Sequence, residues 1–198
     1  MNNYTQVIHG LYDKGILKFG EFTLKDGSKS DYYIDLRLLN SHPRLLHMVA
    51  ECMSAYLQNG STKFQYIAGI PLAGIPLSTL IGVYTEHPCL LLRKQAKDYG
   101  TKKLIEGEYA QNDNVLLVDD VITSAASKYE WIQILQDGGL VCNDVLVLVD
   151  RRRDLNQMLG FNLHAVFTIG QIFKTLLDYD KVSACDRTRL MIIMGQSQ

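Results

Sequence analysis

The run Asn114-Val115-Leu116-Leu117-Val118-Asp119-Asp120-Val121-Ile122-Thr123-Ser124-Ala125-Ala126-Ser127 holds an aliphatic segment, an aspartate pair and a string of small and hydroxyl residues, in that order. Val115 to Val118 is too short for a helix and lacks polar alternation, so it reads as a strand buried on both faces of a parallel sheet. Asp119 and Asp120 stand where such a strand should emerge. Thr123 to Ser127 then leads into Tyr129, Ile132 and Leu135, whose spacing suits one face of a helix. The run predicts a strand, a tight loop and a helix N-terminus.

A loop of this kind turns backbone N–H groups and the positive end of a helix toward one point, which suits a phosphate. Two carboxylates one step earlier cannot hold the same anion. They suit sugar hydroxyls, or positive charge developing on a sugar, and a phosphate beside a polyol is a phosphosugar. The plainer alternative is that Asp119 and Asp120 merely end a strand at the surface.

On either side of this run, strand candidates at Tyr66–Ile70, Pro88–Leu92, Val115–Val118, Val145–Val149 and His164–Phe167 alternate with helices around Ile75–Val83 and Ser127–Gln136. This alternation predicts a mostly parallel α/β sheet flanked by helices, with ligands at the carboxyl ends of the strands. An N-terminal helix carries Val7, Ile8, Leu11 and Tyr12 until Gly15. Phe19–Leu24 and Tyr32–Leu36 then form a hairpin around Asp26-Gly27, a separate piece suited to a lid. Pro43 opens a further helix, which ends near Asn59-Gly60.

Gly69-Ile70-Pro71-Leu72-Ala73-Gly74-Ile75-Pro76 is a second turn after a strand, where backbone N–H groups could meet a pyrophosphate or simply connect strand to helix. Residues 93–108 carry Arg93, Lys94, Lys97, Lys102 and Lys103 with few apolar anchors, and are expected to be mobile and exposed. They read either as a solvated charge run or as a clamp that closes on an anion.

With 198 residues, a single domain with a sizeable core is expected. A net charge of -1 gives no general attraction to nucleic acid or to an acidic membrane. The four cysteines, Cys52, Cys89, Cys142 and Cys185, lack metal-type spacing and read as small buried hydrophobes in a reducing compartment. No leader or membrane-length apolar run is visible, so a cytoplasmic protein is expected.

Val118-Asp119-Asp120-Val121-Ile122-Thr123-Ser124 resembles the phosphoribosyl-pyrophosphate (PRPP) motif of type I phosphoribosyltransferases. Lys18 to Ser30 and Arg93 to Lys103 resemble orotate phosphoribosyltransferases, especially the form in bifunctional uridine monophosphate synthases. The likeness runs from about residue 10 to about residue 177. It implies a type I phosphoribosyltransferase fold in one domain: a hood from about 1–40, a core from about 41–177 and a C-terminal helix from about 178–198.

The resemblance also implies a reaction, the Mg²⁺-dependent transfer of ribose 5-phosphate from PRPP to orotate in pyrimidine synthesis. Lys97 becomes the principal catalytic residue, a cation on the departing pyrophosphate, with Asp119 and Asp120 on the ribose. PRPP contacts fall to Lys25, Ala73, Arg93, Lys94, Lys97, Tyr99 and Asp119, Asp120, Val121, Ile122, Thr123, Ser124, Ala125, Ala126 and Ser127. Orotate contacts fall to Lys25, Tyr33, Ile34, Thr123 and Arg151. No residue is expected to ligate the metal directly, because PRPP carries the Mg²⁺. A homodimer with shared sites is implied, with neither nucleic acid nor membrane as a partner.

Where the family has Gly and then Ser or Thr after the Thr-Ser pair, this chain has Ala125 and Ala126. A Cβ at 125 is expected to strain a backbone that needs positive φ, and Ala126 offers no hydroxyl to a phosphate. Two rivals share the fold: a phosphoribosyltransferase for another base, and a non-catalytic PRPP or nucleotide sensor.

Overall fold

A computed structural model describes residues 3–23, 27–60, 62–94 and 103–195. In chain order the elements are α1 (Asn3–Asp13), β1 (Leu17–Thr23), β2 (Lys29–Ile34), a 3₁₀ turn (Leu36–Ser41), α2 (Pro43–Gln58), β3 (Tyr66–Gly69), α3 (Gly74–Thr85), β4 (Cys89–Leu92) and β5 (Ile105–Glu106). They continue with β6 (Asn114–Ile122), α4 (Ala126–Asp137), β7 (Val141–Asp150), β8 (Asn162–Thr168), α5 (Ile169–Leu177) and α6 (Ala184–Gly195). The chain divides into two compact units, one of Met1–Met48 with Phe167–Gln198 and one of Val49–Val166.

In the first unit, α1 buries Val7, Ile8 and Leu11, and β1 pairs antiparallel with β2. The hairpin is where the sequence puts it, but β2 begins at Lys29 and Leu36 has left it for the 3₁₀ turn, where the Asp35 side chain accepts the N–H of Arg37. Residues beyond Phe167 belong to this unit too. Thr168 and Gln171 form a reciprocal capping box that starts α5. Tyr12 donates its hydroxyl proton to Asp186 at 2.7 Å, and Arg189 donates to the carbonyl of Phe19 at 3.1 Å, so α6 is tied to α1 and β1. Leu190 is fully buried there.

The second unit is built on a six-stranded sheet of order β5-β4-β3-β6-β7-β8. β3 pairs parallel with both β4 and β6, β6 pairs parallel with β7, and β5 runs antiparallel to β4. Val115, Leu117, Val145 and Val147 face a core with Trp131, Ile132 and Leu135 of α4. The alternate residues Leu116, Val118, Leu146 and Leu148 face the other way and are equally buried, which is why these strands read as unbroken apolar runs.

Three local expectations are corrected. β6 does not end before the aspartates: it stays paired with β7 as far as Ile122 opposite Asp150, so Asp119 and Asp120 lie within the strand. On α4, Tyr129 is exposed, and the inward stripe is Lys128, Trp131, Ile132 and Leu135. Segment 93–108 is not exposed throughout, because among its described residues Ile105 is buried in the core and leads a short strand against β4. Of the cysteines, Cys52 and Cys142 are buried and Cys89 is partly so, whereas Cys185 is exposed. No helix among the described residues is long and apolar enough to cross a membrane.

Candidate active site

The carboxyl ends of β3, β6 and β7 meet through backbone contacts. The N–H of Ile70 donates to the carbonyl of Val118 at 2.8 Å, and the N–H of Arg151 donates to the carbonyl of Ile122 at 3.0 Å. Where β3 turns into α3, a Cβ on Gly74 would sit 2.4 Å from the Val118 carbonyl oxygen, and one on Gly69 would sit 2.4 Å from the Gly74 oxygen. Only glycine allows that approach at both positions. Ala73, the residue before α3, is thereby held beside the strand that carries the aspartates, and the Pro71–Leu72 peptide is cis.

Asp119 and Asp120 differ sharply in surroundings. Asp119 is 7% exposed; its Oδ1 accepts the N–H of Asp120 at 2.9 Å and its Oδ2 accepts the ammonium of Lys128. Asp120 is partly exposed, and its Oδ1 accepts the N–H of Val121 at 2.8 Å. Burial first, and the charge of Asp119 second, push the Asp120 carboxyl from the ordinary 3.8 up to about 7.

Thr123, Ser124, Ala126 and Ser127 are exposed between β6 and the first turn of α4. No side chain caps that helix at Ala125, so the first backbone N–H groups can meet an anion. Ala125 has φ -78° and ψ -13°, ordinary right-handed helical values. The strain expected from a Cβ at this position does not arise, because the helix begins here instead of following a left-handed turn.

No protein-family model matches the chain. Over 182 residues it is 36% identical to the orotate phosphoribosyltransferase of Caenorhabditis elegans, a match that covers 90% of this chain and 80% of that one. The chain belongs to the orotate phosphoribosyltransferase family. It is also similar to the uridine 5'-monophosphate synthase of Bos taurus, at 40% identity over 181 residues, covering 90% of this chain and 38% of that one. The solved structure of Leishmania donovani UMP synthase matches with a TM-score of 0.82 at 30% identity, covering 97% of this chain and 42% of that one. The chain thus spans less than half the length of either synthase. Its fold is that of the type I phosphoribosyltransferases.

Of the residues expected in an orotate phosphoribosyltransferase site, Ala73, Asp119 to Ser127 and Arg151 lie together at the strand ends. Arg93 and Lys94 follow the carboxyl end of β4. Arg93 is engaged by Glu106, with Nε 3.0 Å from Oε1. Tyr33 and Ile34 lie in and at the end of β2, in the first unit. Lys25, Lys97 and Tyr99 lie outside the described residues. Among the described residues, no three of His, Cys, Asp and Glu converge as a metal-binding group.

Two buried cations were not anticipated. Lys128 is one; its signal in the sequence was its place three, four and seven residues before Trp131, Ile132 and Leu135, which puts it first on their stripe. Arg152 is the other, bound to Asp150 with Nη2 2.8 Å from Oδ2 and donating also to the carbonyls of Leu155 and Gln157. Of the three consecutive arginines, Arg152 is therefore buried while Arg151 is partly exposed and Arg153 exposed.

Proposed function

We propose that this chain transfers ribose 5-phosphate from PRPP to a ring nitrogen of orotate, releasing pyrophosphate and forming orotidine 5'-monophosphate. The observation that carries the reading is the pairing of β6 with β7, which sets a carboxylate, a hydroxyl-rich helix start and Arg151 at one edge. Those groups suit a ribose, its 5'-phosphate and the carboxylate of a flat anion, respectively.

Displacement at the anomeric carbon builds positive charge on the ribose ring and negative charge on the departing pyrophosphate. Catalysis therefore needs an anion near the ring and cations near the leaving group. Asp119 and Asp120 supply the first, and Arg93, Lys94 and Lys97 supply the second. Binding of the 5'-phosphate by Thr123 to Ser127 orients the reacting carbon from a distance. Mg²⁺ would be carried by PRPP and would offset part of the charge on the departing pyrophosphate. The same reading makes the working unit a homodimer with shared sites, in the cytoplasm.

A sensor of PRPP is the second reading, favoured by the missing hydroxyl at the exposed Ala126. The test is orotate consumption, followed by ultraviolet absorbance with PRPP and Mg²⁺, with uracil and hypoxanthine as competing bases. Turnover of orotate alone is the expected result. If no base reacts while PRPP still binds, the sensor replaces the enzyme.

A further inference from the structure

Lys128 is a charged residue inside the second unit, with a side chain only 3% exposed. An ammonium enters such a place only if its protons find acceptors. Here they do: it binds Oδ2 of Asp119, donates to the carbonyl of Val121 at 2.9 Å, and lies 3.5 Å from Oγ of Ser127. With Oδ1 of Asp119 taken by the N–H of Asp120, both oxygens of that carboxylate are held by the protein. Asp120 is held by one oxygen only, its Oδ1 accepting the N–H of Val121 at 2.8 Å, and it is partly exposed.

We propose that Lys128 is a positioning residue for the sugar site: by anchoring Asp119 inside the protein it divides the labour of the aspartate pair, leaving Asp120 as the carboxylate that meets the ribose. The inference rests on the function proposed above and refines it, since the sequence gives both aspartates one role. The cation has a second effect. With both carboxylates ionised, the trio keeps one net negative charge, so Asp120 can ionise beside Asp119 without doubling an unscreened charge. Asp119 on the same strand and Lys128 on α4 are the charged groups that act on Asp120, the first opposing its ionisation and the second favouring it.

The test is a set of four variants, Lys128→Met, Lys128→Arg, Asp119→Asn and the Asp119→Asn/Lys128→Met double, assayed with orotate, PRPP and Mg²⁺ from pH 5.5 to 9. Lys128→Met is expected to raise KM for PRPP about tenfold, as loss of a charged hydrogen bond does. It should also move the acid limb of the kcat/KM profile upward, while Lys128→Arg holds that limb near its wild-type position. In the Asp119→Asn background the same Lys128→Met change should cost less than about threefold, because Lys128 acts through Asp119. Equal losses in both backgrounds, or an acid limb that stays put in Lys128→Met, would overturn the role. A wild-type chain that turns over no base would instead overturn the underlying reading, and the role along with it.

Discussion

The guanidinium of Arg152 is hydrogen-bonded to the carboxylate of Asp150 two residues earlier, with Nη2 2.8 Å from Oδ2 and Nε 3.1 Å from each oxygen. Both side chains are nearly inaccessible, at 7% and 5% exposure. Between them in sequence sits Arg151, whose own N–H is bonded to β6. Arg152→Ala would strand a buried carboxylate and is expected to destabilise the protein by about 3–5 kcal/mol, read by urea unfolding. Arg152→Lys recovers part of this, since an ammonium cannot reproduce the planar fork. Sparing of stability in Arg152→Ala would show the pair to be dispensable.

Asp120 makes stability depend on pH with a definite sign. Its folded-state pKa, about 7, lies above the ordinary 3.8, so between these values the folded chain binds the extra proton. Stability from this group is complete below about pH 4 and is lost as pH rises through 7. Asp120→Asn cannot titrate. Its melting temperature should therefore gain on the wild type as pH increases from 4 to 8; a gap that stays constant across that range would contradict the raised pKa.

The two alanines of the phosphate loop should respond differently to restoration. Ala126→Ser places a hydroxyl on the exposed first turn of α4 and should lower KM for PRPP by roughly tenfold, the worth of one hydrogen bond to a charged group. Ala125→Gly relieves nothing, because Ala125 already sits comfortably at φ -78°. Initial rates against PRPP concentration would separate the two, and an equal benefit from both would mean that the loop must leave its helical form to bind.

Lys97 is assigned to the leaving group by resemblance, and its role has a kinetic signature. Lys97→Ala should reduce turnover by about 100-fold or more while PRPP affinity changes far less, as for a group that acts on charge developing in the transition state. Comparable losses in turnover and in calorimetric PRPP binding would make Lys97 an ordinary substrate contact.

Much of this architecture was legible because a strand buried on both faces has no polar alternation: Val115 to Val118 and Val145 to Val149 could hardly be anything else. What escaped the reading was how far the ladder continues. Pairing with β7 costs Asp119 and Asp120 nothing in backbone bonds, and the first finds its countercharge on α4, so the strand runs through both. That countercharge was hidden because a lone lysine in a helix is nearly always on the wet face. Tyr129, apolar enough to be taken as core, instead uses its hydroxyl to accept the N–H of Gly160 at 3.2 Å. Arg151 and Arg152 look alike in sequence, and only the fold distinguishes the buried anchor from its neighbour.

The register that sets Ile122 opposite Asp150 also acts as a ruler. Parallel strands can slip only in whole residues of about 3.3 Å, and a single step turns every side chain to the opposite face. The interval between the aspartate pair and Arg151 is therefore quantised. A change of preferred base in a relative of this chain has to come from exchanging side chains at the strand ends or lengthening the loops beyond them, since the sheet offers no intermediate spacing.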